Sequence, residues 1–156
     1  MGKQTKTIVW MLFSAYIALM LWLLFGQRWG MDAPGSYLQR LRENLNPVPL
    51  RTIRQYLHAL TLENAYLVRH AVVNLAGNVV MFVPLGFFLP LVAKPCREYR
   101  KHLAWVLMIL LAIELLQLFS LLGSCDVDDF ILNVPGTAIG FGIFQIFPGK
   151  KTGEYS

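Results

Sequence analysis

Charge is scarce in this chain and absent where it would matter most. Only 15% of the 156 residues are charged, and none of the fourteen Lys and Arg falls inside the four longest apolar runs. There is no Cys/His metal pattern, no glycine-rich nucleotide loop and no nucleophile elbow, so the common signatures of zinc sites, nucleotide enzymes and α/β-hydrolases are missing. The three histidines, His58, His70 and His102, show no ligand spacing and read as surface residues. Nothing marks a nucleic-acid partner. Two cysteines are present, Cys96 and Cys125.

What the chain does have is apolar length. Hydrophobic residues make up 56% of it, well above the average for soluble domains. They gather in blocks at 8–25, 72–92, 103–122 and 130–147. A bilayer core of about 30 Å needs roughly 20 helical residues, and each block meets that length. The expectation is an all-α polytopic membrane protein, a single domain over 1–156, with four transmembrane helices and a segment over 26–71 between the first two. The first block is longer than a signal-peptide core, and no small-residue cleavage site follows it, so it reads as an uncleaved anchor. Lys6 stands where a myristoylation motif needs Ser or Thr.

Charge asymmetry orients the spans. Lys3 and Lys6 precede the first, Lys94, Arg97, Arg100 and Lys101 crowd the link between the second and third, and Lys150 and Lys151 follow the fourth. The link between the third and fourth has no Lys or Arg and carries Asp126, Asp128 and Asp129. Basic short loops stay cytoplasmic, which puts both termini inside and the Asp-rich link outside. The six arginines of 26–71 disagree, but segments of that length translocate with less regard to charge. Cys96 and Cys125 then lie on opposite faces, about 30 Å apart, far beyond the roughly 7 Å between bonded Cα atoms. In the outer segment, Ile53, Tyr56, Leu57 and Leu60 follow helical spacing behind a Thr52–Gln55 capping box, and Ser36 with Gln39 offers a second box. Short basic amphipathic helices on the lipid surface fit this pattern, as does an ordinary segment packed on the helix tops.

The polar residues within the spans fall at matching depths. Asn74 and Asn78 in the second span, Glu114 and Gln117 in the third and Asn133 in the fourth all lie in outer halves. The i, i+4 and i, i+3 spacings put each pair on one helix face. Asn74, Asn78, Glu114, Gln117, Asp126, Asp128, Asp129 and Asn133 form the expected ligand-binding set. Polar groups also join helices with no other function, and Asp128 and Asp129 suit a helix start. Glu114 is the strongest functional candidate, because an intramembrane carboxyl is costly at about 2.5 to 3.5 kcal/mol. The fourth span carries small residues at Gly136 and Gly140, a face for close helix approach, within the chain or in a homo-oligomer. Pro84, Gly86 and Pro90 are expected to kink the second span.

Asn74–Gly86, with Asn at its first and fifth positions and Phe82, Pro84 and Gly86 following, resembles the N-x-x-x-N-x-x-x-F-x-P-x-G block of the VanZ-like family. Glu114 and Gln117, then Asp126, Asp129, Asn133 and Gly136, resemble its E-x-x-Q and D-x-x-D-x-x-x-N-x-x-G block, and Asn44–Pro47 is similar to its N-L-x-P segment. The likeness covers about residues 8 to 147. Val48 stands where many members have Phe, and Leu122–Ser124 carries no Arg where many members place one. The resemblance implies a multi-pass protein of the bacterial cytoplasmic membrane, tied to resistance to the glycopeptide teicoplanin. It implies no reaction.

Three functions fit. The first is an accessory envelope protein, not an enzyme and without cofactor, that binds membrane lipid, a lipid-linked envelope precursor or a lipoglycopeptide. The second is a membrane-embedded enzyme acting on a lipid headgroup, with Glu114 as general acid or base and a divalent cation on Asp126, Asp128 and Asp129. The third is an assembly subunit whose polar cluster only joins helices. An ion pathway is weaker, since the inner halves of the blocks hold no ionisable residue.

Overall fold

The structure, a computed structural model, describes residues 2–26 and 34–146. Arg28, Phe147 and the Lys150–Lys151 pair, used above for span length and orientation, lie outside them. In chain order the elements are α1 (Lys3–Phe25), α2 (Tyr37–Glu43), β1 (Leu45–Asn46), α3 (Arg51–Ala59), α4 (Ala65–Val92), a 3-10 turn (Lys94–Arg97), α5 (Tyr99–Ser120), β2 (Cys125–Asp126) and α6 (Val127–Ile146). Four of these, α1, α4, α5 and α6, are long and apolar enough to cross a membrane. The chain is an all-α membrane protein, as the apolar blocks indicated.

The helices overrun the blocks where local chemistry allows. α4 starts in polar sequence because the Asn64 carboxamide oxygen accepts the N–H groups of Tyr66 (3.0 Å) and Leu67 (3.2 Å). A cap of this kind contributes about 1 kcal/mol. Asn64→Ala is therefore expected to speed amide exchange in the first turn of α4 while leaving the apolar part protected. α5 stops at Ser120 because Leu121 turns left-handed, with φ of 57°. α6 begins with Asp128 and Asp129 in its first turn, where the helix dipole favours acids.

α4 and α6 run parallel and form the closest pair. A Cβ on Gly136 would run into the Val79 carbonyl, one on Gly140 into the Val83 carbonyl, and one on Gly86 into the Thr137 carbonyl. Only backbone without side chains permits that approach. The Gly136/Gly140 face is thus covered by α4 of the same chain. α4 is one continuous helix despite Pro84 and Pro90. Pro84 has no N–H to offer the Val80 carbonyl one turn before it, and beside that gap the Tyr16 hydroxyl donates to the neighbouring Met81 carbonyl (2.9 Å).

The shared core joins Phe82, Leu85 and Leu89 of α4 with Val106, Leu110 and Ile113 of α5. α1 lies at the edge. Only 6% of its apolar window is buried, against 28–33% for the other three. It rests on α4 through Phe13, Tyr16 and Met20 and leaves Trp10, Met11 and Trp22 exposed. Hydrocarbon is a good solvent for such a face.

His102 corrects one expectation. It is 1% exposed, and its ring centroid lies 4.6 Å from that of Phe141. α5 begins at Tyr99, before the apolar block, so His102 falls inside the helix on its buried stripe with Val106, Leu110, Ile113 and Gln117. That also places an ionisable side chain within a span at the end far from Glu114, in the half of the bundle where none was expected. His58 and His70 are exposed as anticipated.

Residues 34–64 pack on one end of the bundle. Ser36 caps α2, its hydroxyl accepting the Gln39 N–H at 3.3 Å, and the Tyr37 hydroxyl donates to the Phe119 carbonyl of α5 at 3.0 Å. α3 half-buries Ile53 and Tyr56 and leaves Leu57 exposed. The Thr52–Gln55 capping box does not form. Leu50 is the N-cap of α3, and the cap comes from a distant part of the chain.

Candidate functional site

The polar residues of the bundle are organised around a two-residue parallel pairing. Leu45 lies opposite Cys125 and Asn46 opposite Asp126, and the Cys125 N–H donates to the Asn44 carbonyl at 2.8 Å. Two such short strands bind weakly alone. Side chains reinforce them. One Asp126 oxygen accepts from the Asn46 amide (3.0 Å) and the Thr52 hydroxyl (2.5 Å), and the other accepts the Asp128 N–H (2.9 Å). Asp128, with no exposed surface, accepts the N–H groups of Leu50 and of Ile53 (3.0 Å). It is the missing cap of α3: a carboxylate placed at the positive end of that helix. Leu50 meets it in the left-handed region, with φ of 64°.

Glu114 stands under this clasp. It is 2% exposed, and its Oε2 accepts the Asp126 N–H at 2.9 Å. The Cys125 thiol lies against the same carboxyl. Burial, then the charges of Glu114, Asp126 and Asp129, push that thiol above its usual range. Burial does the same to Cys96 at the other end of the bundle, and the two cysteines are unbonded. Asp129 accepts from the Asn78 amide at 2.9 Å, which joins α6 to α4.

The expected set therefore divides. Asp126 and Asp128 turn their oxygens onto the 46–53 segment. Glu114, Asp129 and Asn78 meet at the junction of α4, α5 and α6. Asn133, one turn beyond Asp129 on the same face of α6, is 4% exposed, and its Oδ1 has no partner among the described residues. Gln117 points toward α1, its amide donating to the Leu24 carbonyl at 3.3 Å. Asn74 is not drawn in: its amide bonds back to the His70 carbonyl of its own helix at 2.8 Å. Among the described residues no three His, Cys, Asp or Glu side chains converge to hold a metal ion, because the Asp126 and Asp128 oxygens are turned onto backbone and side-chain donors.

Reading by helical spacing missed Asn46, Thr52 and Leu50, which the aspartates grip, and Cys125 beside Glu114. The Asn44–Pro47 motif was the sequence signal that tied this region to the aspartates.

No curated protein and no solved structure matches the chain. A family model described as VanZ/LLP1 matches residues 12–148, a stretch that takes in every element of the cluster. The chain belongs to the VanZ/LLP1 family of membrane proteins, a family associated with teicoplanin resistance.

Proposed function

We propose that this protein is an accessory factor in glycopeptide resistance, spanning the bacterial cytoplasmic membrane with both termini inside. In this reading the junction of Glu114, Asp129 and Asn133 faces outward and receives a lipophilic or lipid-linked ligand: membrane lipid, an envelope precursor or the lipoglycopeptide itself. Family membership supports the resistance role. The basic link Lys94–Lys101 at the far end of the bundle supports the orientation. One observation carries the site. Among the described polar groups at this end, Glu114 and Asp129 keep acceptor capacity beyond the bonds they make, and the buried Oδ1 atoms of Asn133 and Asn46 have no partner; a buried polar group is retained only with a partner.

The test is teicoplanin susceptibility of a sensitive Gram-positive host expressing the wild type, Glu114→Gln or Asp129→Asn, with membrane abundance measured for each. The wild type is expected to raise the inhibitory concentration, and both variants to return it to that of the host at undiminished abundance. Both substitutions keep an oxygen for the observed hydrogen bonds, so folding is preserved. Loss of protection that only tracks loss of protein would leave a helix-joining role instead.

A further inference from the structure

The outward site proposed above leaves the chemistry of its ligand open, and the balance of donors and acceptors narrows it. Four carboxyl groups, Glu114, Asp126, Asp128 and Asp129, gather at one end of the bundle. Among the described residues none is paired with a cation; the single ion pair, Lys101 with Glu98, is at the opposite end. Asp126 and Asp128 are occupied by donors of the 46–53 segment. The other two are not saturated. Among the described residues Asp129 accepts from one side-chain donor, the Asn78 amide. Glu114 has the Asp126 N–H and a thiol, a weak donor.

A second observation is independent of the acids. Asn133 is four residues after Asp129, on the α6 stripe that continues to Gly136 and faces the same junction. Its Oδ1 is fully buried and unpartnered. The Asn46 Oδ1, at the clasp above, is also without a partner. Among the described residues, every buried side-chain atom left without a partner at this end is thus an acceptor. A buried acceptor without a donor costs about 1 to 3 kcal/mol, so the arrangement favours a ligand that brings donors and positive charge.

We propose that the site selects a primary ammonium group, held by Glu114, Asp129 and Asn133. An ammonium offers three donors on one compact charge, which matches three acceptors supplied by two helices. A divalent cation would need about six oxygens at short range, and among the described residues no such set converges. The proposal rests on the outward-site reading and specifies its ligand. The ammonium has two sources at a bacterial surface: an amine-bearing phospholipid headgroup, or an amine of the glycopeptide.

The experiment uses the full chain in phosphatidylcholine nanodiscs. Binding of an acyl-labelled short-chain phosphatidylethanolamine is compared with that of its phosphatidylcholine and phosphatidylglycerol counterparts. The amine lipid is expected to bind at least about tenfold more tightly than the trimethylated one. Glu114→Gln and Asp129→Asn are expected to abolish the preference without lowering the thermal unfolding midpoint. Equal binding of the two headgroups by wild type overturns the proposal with no variant needed, as does a preference that survives both substitutions. Tighter binding of phosphatidylglycerol, lost in the same variants, also overturns it but leaves an outward ligand site standing. Absence of headgroup-sensitive binding together with normal protection by both variants would sink the site itself. Displacement of the bound lipid by teicoplanin, but not by its N-acetylated form, assigns the amine to the antibiotic. Failure of both forms to displace it assigns the amine to the lipid.

Discussion

Asp128→Ala is expected to release the 46–53 segment from the bundle. The carboxylate accepts two backbone N–H groups, those of Leu50 and Ile53, from a position with no exposed surface. Hydrogen bonds to a charged group contribute about 1.5 to 3 kcal/mol each, and their loss here strands two donors. Local stability should fall by about 3 kcal/mol or more, since among the described residues no other side chain caps α3. The measurement is limited proteolysis of the detergent-solubilised protein. Cleavage should appear between Asn46 and Ile53 in the variant while α4, α5 and α6 stay intact. Asp128→Asn keeps one acceptor and should fall between variant and wild type. If the alanine variant resists protease as the wild type does, the cap does not hold this segment.

Gly140→Leu should be the most damaging single change in the apolar part of the chain. Even a Cβ at this position meets the Val83 carbonyl and the Phe87 N–H across the interface. Backbone cannot rotate aside as a flexible side chain does, so α4 and α6 must separate. Overpacking costs about 1 to 3 kcal/mol when side chains absorb it, and more when backbone must move. Gly140→Ala should already lower the melting temperature in detergent. Gly142 supplies the control two residues away, because a Cβ there meets nothing within 4 Å. Gly142→Ala is expected to be neutral or slightly stabilising, through its higher helix propensity. Equal behaviour of Gly140→Ala and Gly142→Ala would mean that α4 and α6 do not approach as closely as their glycines allow.

The spans were legible because the bilayer imposes a length and a polarity on each, and both are written locally in the chain. Small residues at Gly136 and Gly140 announced a close helix contact, but periodicity carries no information about which helix fills it. The structure gives α4. His102 was misread because hydropathy places a helix boundary at the edge of the apolar block, whereas hydrogen bonding carries α5 four residues further. Depth grouped Asn74 with the other polar residues, yet depth says nothing of rotation about the helix axis, and Asn74 turns back onto His70. The aspartates were seen as a set, and their division was not. Asp126 and Asp128 serve residues 74 to 80 positions earlier, and contacts at that separation leave no trace in local spacing.

The clasp also sets an order of events. Asn46 and Thr52 leave the ribosome long before Asp126, the residue that will hold them, has been made. At synthesis rates of about 5 to 20 residues per second, the 80 residues between Asn46 and Asp126 take roughly 4 to 16 s. Throughout that interval the 46–53 segment and α3 exist without their fastening, and α4 lacks the glycine-faced partner that later covers it. The insertion of α6 therefore completes both joints at once. A nascent chain arrested before Cys125 should display an early segment that protease cuts freely, and the same segment should become resistant only after α6 has entered the membrane.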